Sequence, residues 1–147
     1  MPPSVRQAPS PLVAAGAELD FILSALLTDH DSLLQALRGH RDAIAQADPR
    51  ALAASLERQQ DLMTHIADLD AQRQTLVRRL IDSDRVLRAA DRAGAAPPTI
   101  TALISLLPEP LRPRLSDLAS RLRSSIERLQ LEQRRLKLAL EALASHM

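Results

Sequence analysis

Between Leu52 and Leu87 apolar residues return with a period that only a helix can use. Leu52, Gln59, Ile66, Arg73, Leu80 and Leu87 recur every seven residues, and Leu62, Leu69 and Leu76 fall between them, three positions on. Alternating steps of three and four place these side chains on one stripe of an α-helix, the seam of a coiled coil or long bundle. Leu56, Met63 and Val77 widen the stripe, as a helix needs when it packs on more than one neighbour. Neither Pro nor Gly interrupts the run. It predicts a rod roughly 60 Å long at ~1.5 Å per residue. The rest of the chain reads as partners, hinges and tails for this rod.

The chain's 147 residues suit one domain with enough surface to bury a core. Hydrophobic residues make up 46% but aromatics only 1%, so Leu and Ala supply nearly all the apolar surface. Both are strong helix formers, and β-branched residues are too scattered for strands. The predicted fold class is therefore all-α. Without cysteine, disulfide and thiolate chemistry are excluded, and a reducing compartment is compatible. No stretch approaches the ~20 apolar residues that span a bilayer. Residues 1–17, with Pro3, Pro9 and Pro11, lack the apolar core of a secretory signal and read as a disordered tail. Together these features predict a cytoplasmic protein without membrane insertion.

The rest of the chain, residues 18–147, reads as a single helical bundle. A first helix is expected over about 18–48, opened by Glu18 or Asp20 at the positive end of its dipole. Leu19, Ile22, Leu26, Leu33, Leu37 and Ile44 form its face, and Leu23, Leu27 and Leu34 thicken it. Asp29, His30, Asp31 and Ser32 make a polar patch midway, and Gly39 is tolerable inside the helix at ~1 kcal/mol relative to Ala. Asp48-Pro49 then ends one helix and starts the next, since Asp caps and Pro suits a first turn. So short a joint forces an antiparallel hairpin. The central helix is expected over 50–92, ended by Gly94 and Pro97-Pro98. Residues 93–113 read as a Pro-rich hinge holding a short apolar helix at 99–107, which either caps the hairpin or swings loose.

The last helix is expected over 114–144. Leu115, Leu118, Leu122, Leu129, Leu136 and Leu143 form its seam. Leu131 and Leu138 lie about 200° round from Leu129 and Leu136, at ~100° per residue, and Leu140 adds to the apolar excess. Either this helix is wrapped on two sides in a bundle or dimer, or one face is kept for another protein. Charge is uneven too. Three basic and six acidic residues precede Pro49, whereas eight basic and four acidic residues follow from Leu111. The acidic first helix and basic last helix can pair in one bundle, or the basic segment can recruit an acidic partner.

Little in the sequence points to catalysis. His30, His40, His65 and His146 show no metal-ligand spacing, and the pairs Asp29/Asp31 and Asp82/Asp84 lack a calcium loop. No Gly-rich loop or nucleophile elbow is present. Arg121, Arg123, Arg128, Arg134, Arg135 and Lys137 could line phosphates, but nothing aromatic would stack on bases and acidic residues are interleaved, so nucleic acid is not expected. No cofactor is expected either. Gln59 and Arg73 on the central seam read as residues that fix register, or, for Arg73, as one that reaches solvent along its stem.

Leu56 to Met63 (LERQQDLM) and Ile66 to Arg73 (IADLDAQR) resemble the central helix of FlgN-type flagellar export chaperones, with its E-K/R-x-x-L-L and L-x-x-L-E-x-x-R patterns. Ile126 to Lys137 (IERLQLEQRRLK) is similar to that family's last helix, where amides, often Asn, recur among leucines. Gln130 and Gln133 stand at those places. The resemblance spans most of residues 19–144. It implies a cytoplasmic type III secretion chaperone that binds C-terminal helical segments of hook–filament junction proteins. Such a protein prevents their premature polymerisation and delivers them to the export gate and its ATPase complex. On that reading Leu129, Leu131, Leu136, Leu138 and Leu140, with Gln130 and Gln133, contact the client. The alternatives are a structural coiled-coil or oligomerisation module and a helical adaptor with no export client. The sequence leaves monomer and homodimer open.

Overall fold

In the computed structural model the described residues are 11–83, 89, 92–94 and 100–146. They form α1 (Pro11–Ala45), α2 (Pro49–Ser83), a short α3 (Ile100–Ser105) and α4 (Leu111–Ser145), with no strand among them. The all-α architecture, with a long hairpin and a third long helix, is the one that the periodicity dictates. The expected stretch of central helix after Ser83 lies largely outside the described residues, although Ala89 and Arg92 are helical and Gly94 follows at φ 77°.

The α1–α2 joint closes as a Schellman turn. Asp48 N–H donates to Ala43 O at 3.0 Å and Ala47 N–H to Ile44 O at 3.2 Å, with Ala47 in the left-handed region at φ 52°. Asp48 then caps α2, its carboxylate accepting from Ala51 N–H at 3.1 Å. Pro49 fills the first helical position, where its missing N–H is no loss. From the turn, α2 runs back along α1, with Ser55 bonded to Ala36 O at 2.5 Å and Arg79 to Glu18 at 2.5 Å.

α4 runs parallel to α1. Asp20 holds Arg114, Ser125 Oγ donates to Asp31 at 2.6 Å, and Arg41 faces Glu132 at 2.9 Å. Because α2 returns the chain to the pole where it began, α4 must leave from there. The connector α3 caps that pole with Leu103, Ile104 and Leu107 buried.

The helix on which both other long helices pack is α1, not the rod at 52–87. α2 and α4 both pack along α1, and their leucines meet in the two cores beside it. Its burial wraps well beyond one stripe: Leu19, Ile22, Leu23, Leu26 and Leu27 enter the main core, and Leu33, Leu34 and Leu37 the second. On α2 the inner stripe is Leu69, Leu76 and Leu80. The expected widening occurs at Val77, half-buried against the main core, but not at Leu56 and Met63, which are 47% and 59% exposed because no described helix lies on that side.

α1 starts at Pro11, seven residues before Glu18, so residues 11–17 of the expected disordered tail are helical, and the rest of that stretch lies outside the described residues. Ala15 and Gly16 are buried there, and a Cβ on Gly16 would meet Leu111 Cδ1 at 2.9 Å. Gly16 thus marks a close approach to the start of α4. α4 likewise begins at Leu111, earlier than expected, because Pro113 sits in its first turn, where no intrahelical N–H bond is lost.

Candidate functional site

The second core cluster unites the hairpin end of α1 with the distal half of α4. Leu129 and Leu136 pack with Leu33, Leu34 and Leu37, and are only 7% and 8% exposed. Two polar residues share that seam. Ser125 and Glu132 follow Leu122 and Leu129 by three positions, filling the steps between the leucines spaced at seven. Glu132 is 1% exposed. Arg41 Nη1 lies 2.9 Å from its Oε1 as an ion pair, Arg135 lies 3.7 Å from Oε2, and Oε1 has no hydrogen bond among the described residues.

The polar patch on α1 pins both neighbours. Asp29 takes His65 of α2, Asp31 takes Ser125 of α4, and His30 Nδ1 donates within its own helix to Leu26 O at 2.7 Å. Gln59, half-buried on the α2 seam, donates to His40 Nδ1 at 2.9 Å and to Ser55 Oγ at 3.2 Å. That pairing gives the residue a register role. Arg73 turns instead to Asp70 on its own helix at 2.8 Å. At the opposite pole the Arg114 guanidinium, hydrogen-bonded to Asp20, holds that carboxyl below its ordinary value, with Ser24 assisting.

Four leucines in the distal half of α4 are uncovered. Leu131 is 42% exposed and Leu138 65%, on the face turned away from α1. Leu140 and Leu143 (43% and 49% exposed) differ in origin. They continue the buried stripe itself, but α1 ends at Ala45, and the pairing of Arg41 with Glu132 puts that end near residues 136–139. The last turns of α4 overhang the hairpin, so among the described residues a seam leucine there has no turn of α1 to pack on. Gln130 and Gln133 are exposed.

Of the seven residues assigned to a client, five are therefore open among the described residues, while Leu129 and Leu136 are held by α1. Leu143 joins the open set. Its seam position was visible in the sequence, but not the end of its cover. These leucines give α4 two open apolar faces, the outward one of Leu131 and Leu138 and the overhanging one of Leu140 and Leu143, each with area for another apolar helix.

Among the described residues no group of three His, Cys, Asp or Glu side chains could hold a metal ion, and no helix is long and apolar enough to cross a membrane. A protein-family model described as FlgN protein matches residues 17–146. No curated protein and no solved structure matches the chain.

Proposed function

The chain belongs to the FlgN family, a family of flagellar export chaperones, and from that premise we propose that it is a cytoplasmic type III secretion chaperone for hook–filament junction proteins. It holds their C-terminal helical segments unpolymerised and delivers them to the export gate and its ATPase complex. The observation that carries this reading is the set of bare leucines on α4: Leu131, Leu138, Leu140 and Leu143. A bundle with no partner gains nothing from leaving them in water, since each forgoes part of the ~1.5–3 kcal/mol that full burial provides. A client that assembles through amphipathic helices is matched by a helical face offered in its place. Gln130 and Gln133, exposed on the same helix, supply amides at the edge of that contact.

The test is co-purification of the full chain with the C-terminal segment of the same organism's hook–filament junction proteins. A one-to-one complex is expected, lost in Leu131→Asp/Leu138→Asp while helicity by circular dichroism is unchanged. No complex, together with a stable self-assembly by light scattering, would overturn the proposal in favour of an oligomerisation module.

A further inference from the structure

The two outward leucines of α4 do not stand alone. At ~100° per residue, Leu131 and Leu138 lie within ~20° of one another, while Arg128 and Arg134 lie ~60° to either side of Leu131. All four side chains are exposed. Elsewhere on α4 the cations are engaged: Arg112 with Glu109, Arg114 with Asp20, Arg121 with Asp117, Arg135 with Glu132 and Lys137 with Glu141. Arg123, Arg128 and Arg134 form no ion pair among the described residues. Of the carboxylates on this side, Glu141 faces Lys137 at 4.0 Å, which leaves Glu127 against the three free arginines. The result is an apolar stripe with Arg128 on one side and, on the other, Arg123 and Arg134 with Glu127 between them.

We propose that this outer face of α4 binds an acidic amphipathic helix, whose apolar stripe lies on Leu131 and Leu138 and whose flanking carboxylates meet Arg128 and Arg134. The inference rests on the reading of α4 as the client face and adds the chemistry by which a client is chosen. A helix rich in lysine along its edges is rejected, because the like charges would be pressed together as the leucines desolvate. Guanidinium groups suit the task, since each offers a planar fork to a carboxylate. The pairs stay at the rim, so they set selectivity and encounter rate and are screened by salt over ~10 Å at 0.1 M.

Two fluorescein-labelled helical peptides test this on the full chain. They share a leucine stripe and differ only in carrying Glu or Lys along both edges, and binding is read by anisotropy. At low salt the Glu peptide is expected to bind at least tenfold more tightly than the Lys peptide. That preference should fall severalfold with added salt and disappear in Arg128→Gln/Arg134→Gln, a surface change that leaves helicity intact. The same double variant is tested against the junction-protein segment. A junction-segment complex insensitive to the double substitution overturns the inference while leaving the chaperone reading in place. Selective capture of the Glu peptide with no junction-segment complex sinks the chaperone reading and leaves the surface chemistry standing. Equal affinity for both peptides, or no affinity for either, overturns the inference. So does co-sedimentation with phosphatidylserine vesicles that outcompetes the Glu peptide, which would assign the face to an anionic bilayer.

Discussion

Ala47 holds the hairpin turn in a left-handed conformation that costs an L residue roughly 1–2 kcal/mol. Glycine adopts it freely, at the expense of a more mobile unfolded chain. Ala47→Gly is expected to stabilise the fold by up to ~1 kcal/mol, read as a higher urea midpoint at unchanged slope. Asp20 gives the stability a pH dependence of known sign. Its folded pKa lies below the ordinary 3.8, chiefly through the hydrogen bond from Arg114. That contribution is complete above the unfolded pKa and fades as pH falls toward the folded value. The stability gap between the native chain and Asp20→Asn should therefore be largest near neutrality and close in the acid range below pH 4, as followed by urea titrations. Glu132 is buried against a partner that is itself 36% exposed. Removing only the cation, as in Arg41→Met, is expected to destabilise by about 1–3 kcal/mol, with Arg135 limiting the loss. Glu132→Leu, which removes the buried charge altogether, should be near neutral in the same assay. Asp48 and Pro49 were legible as cap and first-turn residue because their chemistry is specific to those positions. Ala47 was not, since alanine carries no mark of a left-handed turn. Glu132 stood at a seam position in plain view, but burial of a carboxylate depends on Arg41, which is 91 residues away in sequence.

At the level of whole helices, periodicity identified α1, α2 and α4, and Asp48-Pro49 marked the start of α2, but the early start of α1 rests on a contact that no local pattern encodes. Gly16 lies in the stretch expected as a tail, and Leu111 beside it is what draws that stretch into the fold. The central role of α1 was also present in the sequence, in the leucines that thicken its face. The seam on α2 was more regular, and regularity is not the same as burial. The two kinds of leucine on α4 lead to opposite expectations. Leu115→Ala empties a site with no exposure at all and should cost about 2–5 kcal/mol in thermal or denaturant unfolding. Leu138→Ala removes a side chain that is 65% exposed and should change stability by less than ~0.5 kcal/mol. That contrast separates surface from core without any partner present. The outward position of Leu131 and Leu138 was legible from helical phase alone. Which of the other leucines would be free depended on where α1 stops, and hence on the register of two helices that meet across more than 90 residues of chain.

Across the whole molecule, the acidic α1 and basic α4 do lie together, yet few of their charges are spent on each other. Asp20 with Arg114 forms one such contact, and Arg41 with Glu132 forms another with the signs reversed. The shared direction of the two helices has a further consequence. The connection into α4 lies at the pole where α1 begins, and the end of α4 lies at the pole of the hairpin turn. If α4 pivoted on that connection, its tip would sweep a circle centred near the start of α1. Fluorophores near Val13 and Ser145 would stay ~50 Å apart through any such swing, the length of a 35-residue helix at ~1.5 Å per residue. A pair at Gln46 and Ser145 would pass from neighbouring positions to as much as ~100 Å. The first pair is thus blind to the motion and serves as an internal standard for the second, so one molecule carries both a ruler and its calibration.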